Sequence, residues 1–397
     1  MRNQRGIALI MTLLIVALLT ITVVEFFYSV EVDSHMARNA VHGLQASLMA
    51  RSGIAMGEAL LLKDADPQVD AFTEDWCPQV GREGRSCQIE DGGGQVMIPD
   101  GTRLRVEIFD ESGKINVNKT RPLTPAEYKQ LLNMTDPTAP PVSQSQEWAQ
   151  ALGSLFQSRG VDAAAALSLE QYWMQVLEPY WGTPSTPGAQ YGTPVPGASP
   201  GAAAPPTPSL QAMLALDFTS LDDLAGITGG IKQADLRRLR PFVTVLPSTV
   251  VGGVNANTAS REVLTAILGD GGVVDNIISE RQNAPIKDIG SMLSSIGTQP
   301  NYKFARSMIR VQSFFYLIRA SAIVNINPIT GRGGIGRSAE MLVQRQQRAV
   351  PGGTQNGTVP TWSLRRLAWQ KEGGATLFRP EAESGNGDLT DSTGMSQ

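Results

Sequence analysis

The chain begins Met1-Arg-Asn-Gln-Arg-Gly6, and the eighteen residues 7–24 that follow carry no charge before Glu25 interrupts the run. A helix that rises ~1.5 Å per residue makes this run about 27 Å long, enough to cross most of a bilayer's hydrocarbon core. A secretory signal peptide is the competing interpretation, but it would end in a small-x-small cleavage site. The bulky residues Phe26, Phe27 and Tyr28 follow instead. The run therefore predicts a membrane helix that stays with the protein.

Two basic residues, Arg2 and Arg5, precede the apolar run. Positive residues beside a membrane helix stay in the cytoplasm, so the chain after Val24 should lie on the other side of the membrane. Gly6 separates the basic leader from the run, and this arrangement resembles the leader of type IV prepilins. A membrane peptidase cuts such leaders after the glycine, so the resemblance implies a cut between Gly6 and Ile7. A plain single-pass anchor without processing is the alternative.

The composition excludes several functional classes. The chain has 397 residues, 33 Lys and Arg against 37 Asp and Glu, and a formal net charge of −4. No overall positive field therefore favours nucleic acid. Both histidines, His35 and His42, fall on the N-terminal helical pattern. A Ser/His/Asp or Cys/His catalytic set is not credible with these two alone, and we predict that the protein is not an enzyme.

The two cysteines, Cys77 and Cys87, lie ten positions apart. In a domain exported past the inner membrane this pair predicts a disulfide, which would stabilise the fold by about 2–3 kcal/mol. A metal or redox role is the weaker alternative, because the spacing is not C-x-x-C and both histidines are distant in sequence.

Beyond the membrane the helical pattern continues to about Lys63, and Pro67 limits its end. Apolar residues recur at steps of three, four or seven, which places them on one helical face. They are Val30, Ala37, Val41, Leu44, Leu48, Ala55, Ala59 and Leu62. We interpret this stripe as the face that packs on the protein's own globular head.

Alternating patterns predict strands at both ends of the globular part. Residues 104–109 alternate, Asp110-Glu-Ser-Gly113 is typical of a turn, and residues 114–118 alternate again, which together predict a β-hairpin. Further strands are predicted at 315–326, 341–344 and 364–369. An antiparallel sheet built from both ends of the chain must have something inserted between them.

The predicted fold is α+β: a long N-terminal helix packed on an antiparallel pilin-like sheet, with a large all-helical insert. The predicted boundaries are leader 1–6, transmembrane helix 7–27, pilin-like domain 28–120 and 311–372, insert 121–310 and disordered tail 373–397. Helical patterns occur at 125–132, 147–157 and 163–177. The Pro/Gly-rich tract 182–209 cannot bury a core and predicts a loop.

The insert contains an internal echo. Ser220-Leu-Asp-Asp-Leu-Ala-Gly-Ile-Thr-Gly229 is answered by Ile286-Lys-Asp-Ile-Gly-Ser-Met-Leu-Ser-Ser-Ile-Gly297. Between them, Val254-Asn-Ala-Asn-Thr-Ala259 leads into a helix that Thr258 or a neighbouring polar residue caps and that ends near Gly269. The pattern is typical of helix-hairpin-helix or SAM-like units.

Helix-hairpin-helix units often bind DNA phosphates through the amides of a glycine hairpin. The hairpin here is Gly269-Asp-Gly-Gly272, with Asp275 just beyond it and no adjacent Lys or Arg. Non-specific DNA binding depends on cations that release counterions, so the local charge has the wrong sign. We therefore predict no nucleic-acid partner. A membrane-anchored DNA-binding protein of a competence or type IV pilus system remains the alternative function.

Two further motifs suggest ligands. Gly331-Arg-Gly-Gly-Ile-Gly336 matches the dinucleotide fingerprint, but no βαβ unit surrounds it, which favours a glycine-rich hairpin loop. Asp64, Asp66 and Asp70 follow the long helix and are weak candidates for a calcium site. An EF-hand would need glycine where Val69 stands, so a charged loop is the default.

Five features together resemble the type II secretion system minor pseudopilin K family over nearly the whole chain. They are the leader, the long helix, the stretch Phe109-Asp-Glu-Ser-Gly-Lys-Ile-Asn-Val-Asn118, the insert with Val-Asn-x-Asn-Thr-Ala, and the closing Phe315-Tyr-Leu-Ile-Arg-Ala320. The resemblance implies a non-enzymatic subunit at the tip of the periplasmic pseudopilus. It implies minor pseudopilins I and J, the major pseudopilin and the prepilin peptidase as partners, and calcium as a cofactor of some members.

One position departs from the usual pilin pattern. Pilins carry glutamate at the fifth mature position, which is Met11 here if the chain is cut after Gly6. By the same resemblance, members without this glutamate are those expected at the tip.

Overall fold

The computed structural model describes residues 4–64, 66, 68–81, 84–90, 98, 101–122, 145–162, 164–181, 216–227, 231–248, 253–290, 307–326, 333–348 and 361–374. The predicted helix at 125–132 and the Pro/Gly-rich tract 182–209 lie outside these residues. Most of the predicted disordered tail 373–397 also lies outside these residues. Residues 373–374 belong to the last strand, so the prediction of disorder is wrong for these two.

The long N-terminal helix is confirmed: α1 spans Gln4–Leu61. Every described side chain from Leu9 to Val41 is exposed. Among the described residues, this helix alone is long and apolar enough to cross a membrane, by length and composition only.

Nine strands occur in the described residues. They are β1 (Ser86–Glu90), β2 (Arg103–Asp110), β3 (Ile115–Asn116), β4 (Val243–Thr244), β5 (Val254–Asn255), β6 (Ile309–Arg310), β7 (Phe315–Val324), β8 (Ile335–Arg348) and β9 (Thr361–Gly374). Five of them form one antiparallel sheet in the order β1-β2-β7-β8-β9. The predicted sheet from both ends of the chain is thus confirmed. Within the glycine-rich stretch, Gly333 and Gly334 lie just before β8 and Gly336 lies in β8, which pairs antiparallel with β7, so the described part does not form the βαβ unit of a dinucleotide site.

Small residues let α1 approach this sheet closely, beside a few large apolar ones. A Cβ added to Gly53 would lie 2.7 Å from Cβ of Ala320, and one on Gly57 would lie 2.6 Å from Cγ2 of Ile318. Such close approach is possible only where the helix has no side chain. The buried face of α1 includes Gly43, Ala46, Ala50, Gly53, Ile54, Gly57, Leu60 and Leu61.

The predicted core-facing stripe is therefore wrong. Leu44 is 62% exposed and Leu48 is 52% exposed, and the other stripe residues are exposed as well. The periodicity was real, but it marks the face of α1 turned away from the sheet. Glycine, alanine and serine carry too little hydrophobicity to reveal the face that packs.

The predicted hairpin at 104–118 is also wrong beyond its first strand. β2 ends at Asp110, whose carboxylate accepts a hydrogen bond from the Ser112 amide and caps a 3-10 helix, Glu111–Gly113. The next residues form β3, which pairs in parallel with β4 of the insert and not with β2. The chain therefore leaves the sheet at this turn.

The insert is mainly helical and has its own core, but it is not all-helical as predicted, because the short strands β4, β5 and β6 lie within it. Its α-helices in the described residues are α2 (Ser145–Ser158), α3 (Ala164–Trp181), α4 (Gln233–Leu239), α5 (Arg261–Leu268) and α6 (Gly271–Asn283). Leu152, Trp173 and Phe242 are buried in this core. Ile115 and Val117 pack in it too, although the predicted insert begins only at Arg121.

A repeated hydrogen-bond pattern lies next to the start of each of the two similar segments. Asn118 donates to the carbonyl of Phe218 at 3.0 Å and accepts from its amide at 2.9 Å. Asn257 makes the same pair of bonds with Ile286, at 3.0 and 2.9 Å. Each asparagine closes an Asn-x-Asn sequence that begins at the last residue of a short strand, and these strands pair in parallel, β3 with β4 and β5 with β6.

Candidate functional site

The predicted processing residues, Gly6 and Ile7, lie in the first two turns of α1. The structure describes only their backbone, which is helical, and a cut between them stays a prediction. Met11 is described with its side chain and is 62% exposed.

The face of α1 turned away from the sheet forms an exposed apolar strip beside the head. We call Val41, Leu44, Leu48, Ala55, Ala59 and Leu62 the outer stripe. A groove of about 470 Å³ adjoins it, between α1 and the end of β7, and is lined by Leu48, Met49, Thr102 and Val324. Contiguous exposed apolar surface on a helix is typical of a face that another protein covers.

The acidic residues after α1 surround a buried arginine from β8. Two carboxylates, Asp64 and Asp70, form ion pairs with Nη1 and Nη2 of Arg345. The Nη2 group also donates to the carbonyl of Ser313 at 2.9 Å. Only 1% of the Arg345 side chain is exposed, so these bonds lie in a low-dielectric environment where they are strong.

Burial and the neighbouring positive charge shift the carboxylate pKa values of this cluster in opposite directions. Burial raises the pKa of Asp70 to about 7, although the Arg345 guanidinium and the Tyr316 hydroxyl lower it. The pKa of Glu74 is raised as well, mainly by burial. Its Oε2 accepts hydrogen bonds from the Ala71 amide at 2.9 Å and from Nε1 of Trp76 at 3.0 Å.

The predicted calcium ligands do not fit a calcium site. The structure brings together Asp64, Asp70 and Glu74, whose ligand oxygens lie within 4.8 Å of one another. Asp66 is exposed and its carboxylate accepts from the Gln68 amide instead. A guanidinium already bonds two of the three clustered carboxylates, and a divalent cation beside it would meet like charge.

A second buried carboxylate joins the insert to the sheet. Oδ2 of Asp110, at the end of β2, accepts hydrogen bonds from Thr258 and Ser313 at 2.5 Å each and from Asn255 at 3.2 Å. The Asn255 amide also donates to the carbonyl of Asp70 at 2.9 Å. Burial raises the pKa of Asp110, while these donors lower it. The Val-Asn-x-Asn-Thr-Ala motif therefore anchors the insert to the head.

The glycine hairpin of the insert is closed by its own aspartate. Asp270 caps α6 by accepting hydrogen bonds from the amides of Gly272 at 2.8 Å and Val273 at 3.3 Å. Asp275 forms an ion pair with Arg261. Ser260, a neighbour of Thr258, caps α5, which ends before Gly269 as predicted. The amides that would hold a phosphate already bind a carboxylate.

Both cysteines are buried free thiols. A hydrogen bond with the Cys87 thiol raises the pKa of Cys77, and burial adds to this effect. The two thiols are thus close neighbours, and a disulfide between them stays a prediction.

No protein-family model matches the chain. The chain is 27% identical over 294 residues to the type II secretion system protein K of Pseudomonas aeruginosa, a match that covers 70% of this chain and 73% of the relative. The chain is similar to a type II secretion protein K. This sequence relative confirms the resemblance drawn from the motifs. A solved chain of the GspK-GspI-GspJ complex from enterotoxigenic Escherichia coli aligns over 86% of this chain and 99% of its own length, with a TM-score of 0.48 and 16% identity.

Sequence reasoning missed Arg345 and the role of Asp110. A signal was present for both. Inward-facing residues of β2 and β8 alternate as Leu104, Val106, Ile108, Asp110 and as Ala339, Met341, Val343, Arg345. A charged residue at an inward position of a strand must find a buried partner, because an isolated buried charge is too costly.

Proposed function

We propose that this protein is a non-enzymatic minor pseudopilin of a type II secretion system that helps to initiate the periplasmic pseudopilus and sits at its tip. The similarity to a secretion protein K supports the family-level role. The observation that carries the proposal is the outer stripe of α1, an apolar surface left exposed beside a folded head. A neighbouring pilin-like helix would cover this surface and bury it from water.

The tip position is supported by two features of the chain. In a packed shaft the fifth mature residue would neutralise the terminal amine of the next subunit, and Met11 cannot do so. An uncompensated amine in an apolar environment would cost several kcal/mol. The helical insert also adds bulk beside the sheet that a close-packed shaft would not accommodate. Both arguments favour a subunit with no like neighbour above it.

The proposal includes a location and a set of partners. The apolar part of α1 lies in the inner membrane and the head lies in the periplasm, after the prepilin peptidase has cut between Gly6 and Ile7. Minor pseudopilins of the I and J types bind beside α1, and the major pseudopilin continues the filament below. The disulfide between Cys77 and Cys87 forms in the periplasm.

Co-purification tests the assembly role. The full-length chain, co-expressed with I and J pseudopilins and extracted in detergent, should purify with both. Leu44→Glu and Leu48→Glu should abolish this, whereas Arg38→Glu, on the same helix but off the outer stripe, should not. A chain that binds neither partner, yet shifts labelled DNA in a salt-dependent manner, would instead be the DNA-binding alternative.

N-terminal sequencing tests processing. The mature protein should begin at Ile7, and Gly6→Leu should leave the chain inserted but uncut, because the apolar run is unchanged. An intact Met1 in the wild type would leave only the plain single-pass anchor.

A further inference from the structure

The cluster of Asp64, Asp70 and Glu74 has the oxygens of a hard-cation site, but a guanidinium already bonds two of its three carboxylates. Three carboxylates within 4.8 Å of one another repel unless a cation lies between them. Calcium in proteins takes six to eight oxygen ligands at about 2.3–2.6 Å. In the described residues, the cation nearest to these oxygens is the guanidinium of Arg345, which pairs with Asp64 and Asp70.

Arg345 reaches this position from the opposite end of the chain. It lies 275 residues from Asp70 and 281 from Asp64, on the inward face of β8. Its guanidinium stands 5.4 Å from the centre of the Tyr316 ring, whose hydroxyl donates to Asp70. The loop that follows α1, the sheet and the Ser313 carbonyl are thus all joined through one side chain.

We propose that Arg345 is a built-in cation that replaces a divalent metal at this site, so that the head folds there without calcium. The carboxylates connect the end of α1 to the sheet, as the ligands of a structural metal would. The positive charge between them, however, is the guanidinium of Arg345 and therefore part of the chain. The inference is independent of the proposed secretion role. It predicts that removal of the guanidinium converts the cluster into a calcium site, since Asp64 and Asp70 would lose the cation that they share and the Ser313 carbonyl would lose a donor.

Terbium luminescence tests this on the full-length protein in detergent. Terbium binds calcium sites, and Trp76 would sensitise it, because Nε1 of Trp76 hydrogen-bonds Glu74 at 3.0 Å. Wild type and Asp64→Asn should give equal emission on indole excitation, since no ion binds at this cluster. Arg345→Met should raise the emission several-fold in a saturable way that calcium reverses. The double variant Arg345→Met/Asp64→Asn should return to the wild-type level.

Two results would overturn the proposal. One is terbium emission from the wild type that calcium displaces and Asp64→Asn removes, which would mean that an ion binds beside Arg345. The other is no gain in Arg345→Met. If that variant is recovered poorly, its yield of folded protein from membranes should rise several-fold when cells grow with added calcium, and the yield of Arg345→Met/Asp64→Asn should not. An equal yield with and without calcium would also refute the inference.

Discussion

Asn116-Val-Asn118 and Asn255-Ala-Asn257 share one local design and differ in what they hold together. In both, the first side chain accepts from the amide of the second asparagine, at 3.2 and 2.9 Å. Asn116 then bonds the amide and carbonyl of Leu246, at 3.0 and 3.1 Å, within the insert. Asn255 instead donates to Asp70, Asp110 and Ser313, outside the insert's own helices.

The difference shows that two copies of one motif can stabilise different parts of the fold. One copy bonds the backbone of Leu246, which follows β4 in the insert, so it stabilises only the insert. The other copy meets two buried carboxylate residues, so it fixes the insert to the sheet. The two N–H groups of one amide side chain are shared there among one carbonyl, one hydroxyl and one carboxylate, and buried polar groups of this kind are costly to leave unpaired.

The largest expected effect is that of Asn255→Ala. It leaves the Asp70 carbonyl, the Asp110 carboxylate and the Asn257 amide short of a partner, and should destabilise the protein by about 4 kcal/mol. Hydrogen exchange should report lost protection in both β7 and α5. Loss confined to α5 would mean that the motif does not couple the insert to the sheet.

Asn116→Ala should have a smaller and more local effect, about 2–3 kcal/mol, because its partners are neutral backbone groups. Exchange should increase at Leu246 and in the neighbouring helices of the insert, while β7 and β8 keep their protection. Equal loss of protection in the sheet would contradict the proposed division between the two copies.

The two copies should also differ in their response to pH. Burial raises the folded-state pKa of Asp70 to about 7, so between about pH 4 and pH 7 the folded state holds a proton that the unfolded state has released. The free energy of unfolding should therefore fall by about 1–2 kcal/mol from pH 5 to pH 7. Asp70→Asn should flatten this fall, as measured by denaturant titration at each pH, and Asn116→Ala should not. An unchanged slope in Asp70→Asn would assign the pH response to other groups.

The smallest expected effect concerns the hydroxyl beside Asn257. Thr258 donates to Asp110 at 2.5 Å, and Thr258→Val removes this bond at nearly constant shape, for a loss of about 1 kcal/mol. Thr258→Ser keeps the hydroxyl and should retain most of the wild-type melting temperature. If both variants lower it equally, packing of the methyl group matters more than the bond.

Sequence patterns predicted the helices and strands themselves better than they predicted which elements pair with one another. β7 and α2 follow patterns of alternation and of helical spacing that report burial directly, and both are present. The stretch 114–118 alternates equally well, yet it pairs with β4 of the insert, because Asn116 and Asn118 bond groups more than 90 residues away. Local alternation shows that a segment is extended but does not identify its partner strand.

For the candidate site, too, the sequence predicted one part and not its partner. The acidic residues after α1 were visible as a cluster, and a cation between them could be expected. Its identity could not, because Arg345 lies 275 residues from Asp70 and resembles any other charge in the sequence.

The sequence by itself determined the apolar run, the length of α1, the α+β class and the poor electrostatics for nucleic acid. These depend on local composition and spacing, which physical chemistry translates directly into helix, strand and charge. Only the tertiary structure decided which face of α1 packs, which copy of the asparagine motif joins the sheet, and what neutralises Asp64 and Asp70. Those outcomes depend on close approach at Gly53 and Gly57 and on partners distant in the chain, and such partners are brought together only by folding.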